Sequence, residues 1–121
     1  MVPRVLIVDD SPQFRDVAAA LLAERGIEVF AEAGDAHQAL DAAADACPDG
    51  ILIDINLPGP DGFMVATALA AACPAARIVL TSANVAHVPE HLLRDCAAIA
   101  FVPKEELVGT DLGALFMPAG T

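Results

Sequence analysis

The chain has 121 residues, a net charge of −11 and 56 % hydrophobic residues. Those totals fit a single domain, residues 1–121, with one real core, and exclude both a disordered tail and a pair of domains. With only six basic residues, Lys104 being the sole lysine, nucleic acid is not expected as a direct partner, because phosphate backbones are held by clustered Lys and Arg.

Arg4 to Val8 is a continuous apolar run that ends on Asp9-Asp10-Ser11-Pro12, and it reads as a buried strand. Phe14, Val17, Ala18, Leu21 and Leu22 follow at helical spacing, and Gly26 closes that helix. Ile27 to Glu32 alternates apolar with polar, as a half-exposed edge strand would. A second helix carries Ala36, Ala39, Leu40, Ala43 and Cys47 on one face before Pro48. Ile51-Leu52-Ile53 is the next strand. It stops on Asp54, and Pro58, Gly59, Pro60 and Gly62 then form a loop that extends neither strand nor helix. A third helix runs from about Gly62 to Cys73, closed by Pro74.

Ile78 to Leu80 is the fourth strand and stops on Thr81-Ser82. A short fourth helix is placed at Pro89 to Cys96, with the proline in its first turn. Ala98 to Val102 is the fifth strand, stopping at Pro103-Lys104. A last helix puts Val108, Leu112, Leu115 and Phe116 on one face despite Gly109 and Gly113. No apolar run could span a bilayer and no basic-then-apolar leader is visible, so a soluble, cytoplasmic protein without membrane contact is expected. The three cysteines, Cys47, Cys73 and Cys96, lack metal-ligand spacing and leave an odd thiol. They are expected to be small apolar residues near helix ends rather than a disulfide framework.

Five strands alternating with five helices predict an α/β fold, a doubly wound parallel sheet covered on both faces. Right-handed crossovers then put the strands' carboxyl ends on one rim. Three carboxylates (Asp9, Asp10, Asp54), the Thr81 hydroxyl and Lys104 therefore converge. At an effective dielectric near 20, two carboxylates about 4 Å apart repel by roughly 4 kcal/mol. A divalent cation relieves that repulsion, and an all-oxygen set suits Mg²⁺ rather than zinc. Such a rim handles phosphoryl groups, with Asp54 as a nucleophile that forms an acyl phosphate. Each residue alone has a plainer reading. Asp10 and Ser11 before Pro12 make a helix cap, Asp54 a turn former, Thr81 a structural hydroxyl, Lys104 a surface lysine and Phe101 a core ring. His87 and His91 share an i, i+4 spacing but flank Pro89, so they read as a solvated helix start, and His37 as a surface residue without a partner.

Taken together, Asp9-Asp10, Asp54, Leu57-Pro58-Gly59, Asp61-Gly62, Thr81, Phe101 and Lys104 resemble the receiver domain of two-component response regulators over essentially the whole chain. The resemblance implies a flavodoxin-like strand order, 2-1-3-4-5. It implies a stand-alone receiver whose Asp54 takes a phosphoryl group from a histidine kinase or histidine phosphotransfer protein and switches a surface for an unidentified output protein. By the same analogy Asp10 binds Mg²⁺ directly, Asp9 does so largely through water, and the Asn56 backbone carbonyl completes the protein ligands. Thr81 and Lys104 contact the phosphoryl oxygens, and Phe101 changes rotamer when Thr81 moves. The implied output surface is the fourth helix, fifth strand and fifth helix, with His91, Arg94, Asp95, Glu105 and Glu106 as candidate contacts.

The sequence departs from the family at Ala97-Ala98-Ile99-Ala100, where Gly-Ala-x-Gly is usual, so a stiffer turn into the fifth strand is expected. Glu105 rather than proline follows Lys104, so the family's common cis bond is not expected there. Competing readings are a receiver-shaped module regulated without phosphate and the regulatory half of a DNA-binding protein. The first is disfavoured by the intact site and the second by the short ending Phe116 to Thr121. An enzyme acting on outside substrates is least expected, because no second catalytic base lies on the rim.

Overall fold

The computed structural model describes residues 2–117, so the expectation attached to the chain's last four residues lies outside what is described. Five strands, β1 (Arg4–Val8), β2 (Glu28–Ala33), β3 (Gly50–Asp54), β4 (Arg77–Ser82) and β5 (Ala98–Pro103), alternate with α1 (Pro12–Glu24), α2 (Ala36–Asp45), α3 (Gly62–Ala72), α4 (Glu90–Asp95) and α5 (Leu112–Phe116). The sheet is parallel in order β2-β1-β3-β4-β5. β2 is the half-exposed edge that its alternation predicts.

The three central strands are apolar on both faces because each face meets a helix layer. Leu6, Val8, Ile51, Ile53, Ile78 and Leu80 pack with residues of α2 and α3. The intervening Val5, Ile7, Leu52 and Val79 pack on the other side with Ala18, Leu22, Leu112 and Phe116. Gly50 is needed at its place in β3, since a Cβ there would lie 2.3 Å from the Phe116 ring.

Several expectations are corrected. Val17 is 65 % exposed and stands off the buried face of α1. The single last helix is instead a 3-10 turn over Lys104–Gly109 followed by the five-residue α5. Asp111 caps α5 by accepting from the Ala114 N–H, so a new helix starts where the periodicity runs on, and Val108 is left exposed. Cys47 and Cys73 are joined by a disulfide, with Cα atoms 5.6 Å apart. Cys96 alone remains a free, buried cysteine of the kind expected. His37 is exposed but has a partner, Asp41 Oδ2 at 3.2 Å; His87 and His91 are exposed.

The departure before β5 has a definite outcome. Ala97 takes a left-handed conformation, φ 63°, just past α4, where a helix end ordinarily uses glycine. No cis peptide bond occurs among the described residues.

Candidate functional site

β1 and β3 lie side by side, so Asp9 leaves the sheet next to Asp54. Asp9 is fully buried and Asp54 is 5 % exposed, while Asp10 faces solvent. Carboxylate oxygens of the three lie within 4.8 Å of one another. Lys104, entering from the end of β5, is their counter-charge, with Nζ 2.8 Å from Asp9 Oδ2 and 3.3 Å from Asp54 Oδ2.

The loops are fixed by capping. Ser11, not Asp10, caps α1, accepting from the Phe14 N–H with Pro12 at the first position, which leaves the Asp10 carboxylate beside Asp9 and Asp54. Asp9 Oδ1 accepts the Ser11 N–H at 2.8 Å. After β3, Asp54 Oδ1 accepts the Asn56 N–H at 2.9 Å. The loop then turns through Gly59, φ 74°, and returns so that the Gly62 N–H donates to Ile55 O. A Cβ at Gly62 would lie 2.4 Å from Asp54 O, so the return path beneath Asp54 admits only glycine.

Burial raises the Asp9 pKa above the ordinary carboxylate range, and the Lys104 ammonium offsets this only in part. For Lys104, burial favours the neutral amine, but the Asp9 and Asp54 carboxylates outweigh it and hold the pKa above its usual value. Asp9 Oδ2 is buried, with Lys104 Nζ at 2.8 Å as its cationic partner. A buried carboxylate balanced by a single ammonium, beside two further carboxylates, matches the all-oxygen preference of Mg²⁺, and the residues present fit that ion.

Thr81 is the register partner of Asp54. Its hydroxyl is fully buried and donates to Val102 O at 2.7 Å. Phe101 is half-buried against the core layer of α2 and α3. Residues that sequence reasoning missed complete the surroundings. Phe14 places its ring 4.0 Å from Lys104 Nζ, Arg15 donates to the Asp9 carbonyl, and Ser82 accepts from Asn56 Nδ2 at 2.8 Å. The helical spacing marked Phe14 only as an apolar position, and nothing in the sequence ties it to Lys104. A cleft of about 390 Å³ lined by Ser82, Asn84, Val85, Pro103, Lys104 and Glu105 among others opens beside this pocket.

Residues 5–109 match the family described as the response regulator receiver domain. The chain belongs to that family. It is 37 % identical over 106 residues to protein-glutamate methylesterase/protein-glutamine glutaminase 5 of Anaeromyxobacter dehalogenans, a match that covers 86 % of this chain and 29 % of that protein. It is 35 % identical to transcriptional regulatory protein PdtaR of Mycobacterium tuberculosis, covering 84 % of this chain and 49 % of that one. The chain thus spans half or less of these curated relatives. Among solved structures, chemotaxis protein CheY4 of Vibrio cholerae superposes with a TM-score of 0.80 at 27 % identity, covering 95 % of this chain and 99 % of that one.

Proposed function

We propose that Asp54 is the phosphoryl acceptor of a cytoplasmic receiver in two-component signalling, with a histidine kinase or histidine phosphotransfer protein as donor. The observation that carries this reading is Lys104 seated between Asp9 and Asp54 with Asp10 alongside. An Asp54 carboxylate oxygen attacks the phosphorus of a phosphohistidine. The P–N bond breaks, the imidazole nitrogen keeps the electron pair, and an acyl phosphate remains on Asp54. Lys104 neutralises phosphoryl oxygens, and Thr81 donates to one of them once its hydroxyl leaves Val102 O. Asp9, Asp10, Asp54 and the Asn56 backbone carbonyl would hold Mg²⁺. When bound, that ion supplies charge neutralisation for carboxylates and phosphoryl oxygens together.

The relatives named above carry different outputs, a methylesterase and a transcriptional regulator, so the output does not transfer from either. For this chain we infer a protein contact on α4, β5 and α5, signalled by movement of Thr81 and Phe101. His91, Arg94 and Asp95 on α4 are exposed, as are Glu105 and Glu106 in the 3-10 turn between β5 and α5. A net charge of −11 disfavours a polyanion partner, and phosphorylation adds roughly −1.5 to −2 more. The chain itself is not an enzyme on outside substrates in this reading.

Intact mass after treatment with acetyl phosphate tests the acceptor. One phosphoryl group is expected on the parent in Mg²⁺, and none in EDTA or on Asp54→Asn; equal labelling in EDTA would reject the reading. Fluorescence anisotropy with labelled duplex DNA at low salt tests the partner class. Salt-sensitive binding by the phosphorylated form would favour the DNA-binding alternative.

A further inference from the structure

The Cys47–Cys73 pair lies at the end of the molecule opposite Asp54. Cys47 follows the last turn of α2 and Cys73 caps the last turn of α3, and helices that cross back over a parallel sheet end at the strands' amino edge. The β3 strand, five residues and roughly 16 Å long, separates the pair from the acidic pocket. The two cysteines differ sharply in access: Cys47 sits in the exposed stretch Ala44–Cys47, whereas Cys73 is 2 % exposed. Their Cα separation of 5.6 Å lies in the range a disulfide bridges without backbone movement.

The helix they tie down buries only small side chains. Its buried residues are Ala39 and Ala43, and an alanine contributes little apolar area. By contrast α3 buries Val65, Ala66 and Leu69. A covalent link at the end of α2 therefore does what packing along the helix does only in part. The third cysteine does not compete as an entry thiol, because Cys96 is buried out of reach of a small disulfide.

We propose that Cys47 and Cys73 form a reversible thiol–disulfide modification site, with Cys47 as the entry thiol, Cys73 as the buried resolving thiol and a low-molecular-weight disulfide as oxidant. The Cys47 thiolate, its proton lost to solvent, attacks one sulfur of the small disulfide. That S–S bond breaks, one small thiolate leaves, and a mixed disulfide forms at Cys47. The Cys73 thiolate then attacks the Cys47 sulfur and expels the second small thiolate. Two protein thiols are oxidised to one disulfide, the small disulfide is reduced to two thiols, and these take up the two protons. Closure pins α2 to α3; a reducing thiol pool reverses the sequence.

The test uses the full chain, reduced with dithiothreitol, desalted, and incubated with glutathione disulfide under native conditions. Aliquots are quenched with N-ethylmaleimide and weighed intact. The parent should pass through a transient glutathione adduct and end closed, with only Cys96 reacting after denaturation. Cys73→Ser should retain the adduct at Cys47, and Cys47→Ser should gain none while folded. If Cys73→Ser does not fold by circular dichroism, Cys73→Ala carries the same test. Cys47→Ser gaining the adduct as fast as Cys73→Ser, or a parent that keeps its adduct without closing, would overturn the assignment. The closed parent should also melt roughly 10 °C above its reduced form, since a link across 26 residues restricts the unfolded chain. Equal melting of the two forms would overturn the clamp.

Discussion

Thr81 Oγ1 donates a 2.7 Å hydrogen bond to the carbonyl oxygen of Val102, although its place in the sheet is opposite Asp54. The hydroxyl that would serve a phosphoryl group is thus committed to β5, and engaging the phosphate requires it to leave a buried carbonyl. That bond joins the strand beside the pocket to the strand that carries Phe101.

Thr81→Ala should therefore act twice. Losing the buried hydroxyl's hydrogen bond to the Val102 carbonyl costs about 0.5–1.5 kcal/mol, measurable as a lower urea midpoint. The variant should still accept a phosphoryl group at Asp54, while hydrogen exchange over residues 98–103 stops responding to it. An exchange response equal to the parent's would separate Thr81 from the signal.

Lys104→Ala should be most damaging without metal. Lys104 faces both Asp9 and Asp54, and Asp9 has no exposure to water. Removing one partner of a buried pair strands the other charge, at about 3 kcal/mol or more. Unfolding in EDTA should show a loss of that order, and millimolar Mg²⁺ should recover much of it, because Lys104 is not among the proposed ligands. A variant as stable as the parent in EDTA would remove the ammonium from the pocket's charge balance.

Ala97→Gly should stabilise the protein. A left-handed alanine costs about 1–2 kcal/mol, and the greater freedom of an unfolded glycine takes back part of that. A gain of about 0.5–1 kcal/mol in denaturant unfolding is expected, and a loss would mean that the Ala97 methyl makes a compensating contact.

The rim was legible in the sequence because apolar runs that end abruptly on Asp9, Asp54, Thr81 and Lys104 identify strand ends, and parallel topology then brings those ends together. The side chains' engagements were not legible. Nothing in the chain order says that Thr81 turns to Val102 or that Phe14 covers Lys104, because both depend on rotamers set by neighbouring elements. The disulfide escaped for a similar reason: Cys47 and Cys73 are brought together by the docking of two helices, and an odd cysteine count hides a pair. A single last helix is expected from the sequence because Val108, Leu112, Leu115 and Phe116 keep a helical period across Thr110 and Asp111. There a fresh cap is the better use of the backbone.

The chemistry assigned to Asp54 is open to direct mapping. Reduction of an acyl phosphate by borohydride converts the phosphorylated aspartate to homoserine, which peptide sequencing by mass spectrometry locates. After phosphorylation in Mg²⁺, homoserine should be found at position 54, with Asp9 and Asp10 intact. Homoserine at either of those two positions, or none at 54 in protein that carries a phosphoryl group, would contradict the assignment of Asp54 as the acceptor.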